Sequence, residues 1–141
     1  MQIKSLAVEE TAFLHLRSAG EELLYEAGKD GYPDKTKPVG ITFYSPGSKA
    51  YAKAQTARSN RIVDRFKSKG KANRTAEETK QENAAFLVAC THSMQHMEVD
   101  KLEGEALFQA VYDDPTLGFI VDQSAAFASD WANFSKALPK I

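Results

Sequence analysis

Seven residues near the C-terminus, Leu117, Ile120, Ser124, Phe127, Trp131, Phe134 and Leu138, are separated by 3, 4, 3, 4, 3 and 4 positions. An α-helix turns once in about 3.6 residues, so that spacing puts all seven on one side of a helix. The sequence therefore predicts a final helix over 117–138, ended by Pro139, with one polar interruption at Ser124 and with Trp131 in its buried face. An apolar stripe of this length has to be covered by other elements, which commits the chain to a layered core.

Upstream the period changes to two. Val39, Ile41 and Phe43 alternate with Gly40, Thr42 and Tyr44, a pattern of β-branched and aromatic residues that predicts a strand stopped by Ser45-Pro46-Gly47. Ala12–Leu16 and Leu23–Ala27 flank a turn at Ser18-Ala19-Gly20-Glu21 and read as a hairpin, with Gly28–Lys37 as a loop. After Pro46 the periodicity is helical. Ser48 is an N-cap for a helix to about Ser68, with Tyr51, Ala54, Ile62 and Phe66 as its stripe, Val63 beside it and Arg58 interrupting it. Thr75 and Glu78 form a capping box for a helix over 76–96, apolar nearly all round at 84–90. A short helix follows at Glu105–Asp113, closed by Asp114-Pro115.

The expected fold class is thus α+β: a short N-terminal antiparallel β-sheet, hairpin plus third strand, followed by about four helices. The 141 residues fit a single domain, 1–141, β-rich over 1–45 and helical over 46–138. Val39, Ile41, Phe43, Leu87, Ile120, Phe127 and Trp131 are its expected core.

Charge is segregated. Residues 1–46 carry 5 basic and 7 acidic groups, 47–74 carry 9 basic groups and one acid, Asp64, and 75–141 carry 4 basic and 11 acidic groups; the nets are -2, +8 and -7, which sum to -1. The basic segment either lies across the acidic helices or offers a face to an acidic protein or nucleic acid, and internal complementarity is the favoured reading. A balance so close to neutral predicts no specific nucleic-acid binding. No run reaches the roughly 18 apolar residues of a membrane span, and Met1-Gln2-Ile3-Lys4-Ser5 does not open a secretory leader. A lone Cys90 in an apolar run fits a buried, inert thiol in a reducing cytosol.

No catalytic, cofactor or metal site is expected. His92 and His96 stand four apart on a predicted helix, but Ser93 follows His92 where a metallohydrolase pattern needs Glu, and a third ligand would have to come from elsewhere, Glu98 or His15. Phosphate loops of the G-x-x-x-x-G-K or G-x-G-x-x-G kind and the G-x-S-x-G elbow do not occur. What the C-terminal half does hold is a Met- and aromatic-rich inventory. Met94, Met97, Phe108 and Phe119 are the candidates for a protein-binding surface, because such side chains repack against varied partners.

Three stretches taken together carry a family resemblance. They are Val39-Gly40-Ile41-Thr42-Phe43-Tyr44-Ser45-Pro46-Gly47-Ser48-Lys49-Ala50-Tyr51 with Ser59-Asn60-Arg61 in the basic helix, Tyr112-Asp113-Asp114-Pro115-Thr116-Leu117-Gly118-Phe119-Ile120, and Asp122-Gln123 through Trp131-Ala132-Asn133-Phe134. In this order, over residues 38–136, they resemble tail assembly chaperones of long-tailed bacteriophages. The resemblance implies a non-enzymatic protein of the host cytoplasm that coats the tape-measure protein, recruits tail-tube subunits to it, and does not stay in the virion. A homo-oligomer is compatible with that role. The alternatives are a minor structural tail or head–tail component of the virion and a nucleic-acid-binding regulator that uses the +8 segment.

Overall fold

Four strands precede the first helix in the computed structural model, which describes residues 1–69 and 75–136. They are β1 (Thr11–His15), β2 (Tyr25–Ala27), β3 (Pro33–Pro38) and β4 (Gly40–Tyr44). α1 (Lys49–Lys69), α2 (Ala76–Cys90), β5 (Thr91–Gln95), α3 (Gly104–Asp113) and α4 (Gly118–Ala128) follow. The architecture is mixed α+β, with a three-stranded antiparallel sheet in the order β1-β4-β5 and a separate β2-β3 ribbon.

The pairing differs from the expected hairpin. The turn is where the sequence puts it: Ser18 N–H donates to Glu22 O at 2.8 Å and Arg17 bridges to Leu23. Past Leu24, however, the chain leaves β1, and β2 pairs with 33–38, the stretch expected to be a loop. Its two prolines and exposed polar residues hide that strand from propensity arguments. β1 pairs instead with β4, Leu14 opposite Ile41. Gly40 admits this approach, since a Cβ there would overlap the Leu14 carbonyl oxygen and the Phe13 ring.

The helix expected over 76–96 stops at Cys90. Its capping box is present, with Glu78 N–H donating to Thr75 Oγ1 at 3.1 Å. At its far end the Thr91 hydroxyl donates back to Leu87 O at 2.6 Å, and the chain turns into β5. There Met94 faces Ile41 and Gln95 faces Gly40 on β4. His92 and His96 are therefore not one helical turn apart on a common face, and the premise of a shared metal site fails. Met94 satisfies helical and strand periodicity equally, so the pattern alone did not mark the change.

The seam at 117–138 is also broken. α4 ends at Ala128, and Asp130 caps a new 3-10 turn, Trp131–Phe134, by accepting from Ala132 N–H at 3.0 Å. The change of axis turns Trp131 outward, where it is 56% exposed, against the expectation of a buried residue. Phe134 is buried in its place and meets Phe127 edge to face. Leu138 and Pro139 lie outside the described residues. Of the other expected core residues, Ile41, Phe43, Leu87 and Ile120 are buried, while Val39 and Phe127 are half-buried against them.

Ser124, the polar interruption, is fully buried. Its Oγ finds no hydrogen-bond partner among the described residues, while the Tyr112 phenol oxygen is 2.7 Å from Thr91 Oγ1 and ties α3 to β5. Burial raises the Tyr112 phenol well above its ordinary value, against the opposing pull of the Thr91 hydroxyl. Gln123 makes a second tie: its side-chain amide accepts from Arg17 N–H and donates to Arg17 O, both at 2.8 Å, which holds α4 to the end of β1.

Candidate binding groove

α1 lies along α2 with a face that is only half apolar. Tyr51 meets Phe86 edge to face, and the Arg58 guanidinium stacks 3.6 Å above the same ring. Farther along, Arg61 grips Glu82 with Nε and Nη2 at 2.8–3.1 Å, and Arg65 Nε pairs with Glu78 at 3.0 Å. The true contact stripe of α1 is therefore Tyr51, Ala54, Arg58, Arg61 and Arg65, again at spacings of 3 and 4. Arg58 belongs to the stripe rather than interrupting it, while Val63 and Phe66 are exposed. Burial pushes the Glu82 carboxyl up, but the Arg61 and Arg65 guanidinium groups outweigh it and hold it below its ordinary value. Part of the basic segment thus lies across acidic residues of α2.

β5, the 96–103 connection and α3 enclose an open groove of about 770 Å³. Met94, Met97, Leu107 and Phe108 line its apolar part, and Leu102 stands at the edge. The connection is shaped by left-handed backbone at His96, Asp100 and Gly104, with φ of 59°, 52° and 57°. Leu102 N–H closes a turn onto Val99 O at 3.1 Å. His96 Nδ1 lies 3.1 Å from a Glu26 carboxylate oxygen, which anchors the start of the connection to the β2-β3 ribbon. The rim carries Glu98, Asp100 and Glu103 against a single Lys101, so the opening is acidic.

Three of the four candidates, Met94, Met97 and Phe108, come together here. Met94 and Met97 are half-buried, and Phe108 is buried and lies at the groove's base. Phe119 is elsewhere: it is half-buried on α4, packed against the core. Sequence reasoning missed Leu102 and the rim acids. Their signal is the acid-rich stretch 98–105, of which the sequence reading used Glu98 as an alternative third metal ligand and the rest only as charge.

Burial pushes the Cys90 thiol up to about 12, and the thiol is fully covered. Ser93 Oγ accepts from the Gln95 amide at 2.8 Å and sits 2.8 Å from His92 Nδ1, a local network beside the Tyr44 ring. Among the described residues no group of three or more His, Cys, Asp or Glu side chains could hold a metal ion, and no helix is long and apolar enough to cross a membrane. No family model, curated protein or solved structure matches the chain.

Proposed function

We propose that the chain is a non-enzymatic binding protein that holds an amphipathic helical segment of a longer client in the groove between β5 and α3. The observation that carries this reading is the gathering of Met94, Met97 and Phe108 in one open, acid-rimmed groove. Thioether and aromatic side chains give a large, adaptable contact area, which suits a client whose successive segments differ in sequence. The resemblance to phage tail assembly chaperones names the client as the tape-measure protein, with tail-tube subunits as the second partner and the infected cell's cytoplasm as the place. The inward turn of Arg58, Arg61 and Arg65 speaks for a protein client over nucleic acid, because it withdraws three cations from the segment that would meet phosphates.

Co-expression with the tape-measure and tail-tube proteins of the same genome tests this. The chain is expected to co-purify with the tape-measure protein, and Met97→Asp is expected to abolish capture with the circular dichroism spectrum unchanged. Failure to capture either protein, with the chain present in purified particles, would replace the chaperone reading by that of a structural virion component.

A further inference from the structure

Of the three arginines in the α1 stripe, Arg61 and Arg65 are paired with Glu82 and Glu78, while Arg58 is paired with no acid among the described residues. Its guanidinium lies over the Phe86 ring, and its Nε is sealed from solvent with no hydrogen-bond partner among the described residues. A cation that has given up part of its hydration and has no counter-ion draws an anion strongly. Arg58 lines a crevice of about 300 Å³ whose floor is α2 and whose walls are α1 and α4. On the α4 wall, Val121, Ala125 and Ala128 give an apolar surface, and the two alanines leave room because their side chains end at Cβ. Asp122 stands on the same wall, exposed, and makes no ion pair among the described residues, with Arg58 or with any other cation. The crevice therefore holds an unpaired cation on one wall, an unpaired carboxylate on the other and an apolar surface beside them.

We propose that this crevice binds a small zwitterion, an α-amino acid with an apolar side chain, its carboxylate on Arg58, its ammonium group on Asp122 and its side chain against Val121, Ala125 and Ala128. The guanidinium fork matches a carboxylate, and the pairing is a charge-assisted one. A plain carboxylic acid would satisfy Arg58 but bring its charge toward Asp122, a phosphate more so, and a plain amine would meet the reverse conflict. A ligand with both charges on neighbouring atoms satisfies both walls. The Asn83 amide on the floor supplies a neutral partner for either group. A volume of about 300 Å³ is at the lower end for small-molecule pockets, which suits an amino acid rather than a larger cofactor. No residue of this crevice lines the groove between β5 and α3, so the site stands apart from the helix-binding reading.

Isothermal titration of the purified chain at pH 7 tests the proposal with L-leucine, with 4-methylpentanoate, which lacks the ammonium group, and with 3-methylbutylamine, which lacks the carboxylate. Leucine is expected to bind, and each analogue about 10-fold more weakly, the loss of one charge-assisted contact. Asp122→Asn changes an exposed residue and is expected to weaken leucine about 10-fold while leaving 4-methylpentanoate no weaker. Arg58→Gln is expected to weaken leucine to a similar degree and to leave 3-methylbutylamine unchanged; should loss of the stack on Phe86 unfold that variant, Asp122→Asn carries the test alone. No leucine binding at about 10 mM, 4-methylpentanoate binding as tightly as leucine, or leucine binding unchanged in Asp122→Asn would each overturn the proposal.

Discussion

Replacing Glu82 by glutamine keeps its shape and removes the charge that two arginines share. The Glu82 side chain is 2% exposed and that of Arg65 12%, while Arg61 keeps 38% of its surface. Removing one partner of a fully buried pair costs about 3–5 kcal/mol, because the other charge is left uncompensated. Here water reaches Arg61, and Arg65 retains Glu78 at 3.0 Å, so about 2–3 kcal/mol is the expected loss at pH 7. The pH dependence has a definite sign. The folded carboxyl titrates below its ordinary value of 4.5, so its contribution is complete above that value and is lost as pH falls through the folded pKa. Urea denaturation followed by circular dichroism is therefore expected to show the Glu82→Gln deficit at pH 7 and its disappearance in acid. A deficit under about 0.5 kcal/mol at pH 7, the range of surface substitutions, or one that persists unchanged below the carboxylate range would refute the electrostatic account of the α1–α2 contact.

The exposed Trp131 and the buried Phe134 separate the broken helix from a continuous one: Trp131→Ala is expected to cost about 1 kcal/mol and Phe134→Ala about 3–5 kcal/mol in the same denaturation assay, and the reverse ranking would restore the seam. Gly40→Ala is expected to cost about 3 kcal/mol, the upper end for over-packing, because the new Cβ meets the Leu14 carbonyl in the β1-β4 pair; a neutral result would mean that β1 lies farther away. Cys90, fully covered and with its thiol pushed up to about 12, is expected to react with an aromatic disulfide reagent only as the protein unfolds; rapid labelling in native buffer would contradict its placement.

Local chemistry carried most of what the sequence revealed about the fold. The Ser48 cap, the Thr75–Glu78 box, the alternation at 39–44 and the Asp114-Pro115 break each fix the backbone within a few residues, and each lies where the pattern puts it. What stayed hidden depends on contacts distant in sequence. β5 exists because Thr91–Gln95 finds β4 some fifty residues earlier, and its Met94 fits either period. Asp130 ended the last helix although the apolar spacing ran through it, because a cap decides the axis and spacing does not. The Arg58–Arg61–Arg65 stripe was unreadable while arginine was scored as polar, since its stem and guanidinium face pack like an apolar group once acids and a ring stand opposite. For the candidate groove, residue types pointed to Met94, Met97 and Phe108 but also to Phe119, because type does not tell a groove wall from a core flank.

The central claim is that the client lies in the groove between β5 and α3, and photo-crosslinking from inside it is the most direct test. A photoreactive amino acid at Met97, in the groove, is compared with one at Tyr32, which is exposed between β2 and β3 and does not line the groove, each co-expressed with the tape-measure protein. Irradiation is expected to join position 97 to the tape-measure protein and to leave position 32 unlinked. Crosslinks from position 32 with none from position 97 would place the client elsewhere and contradict the account.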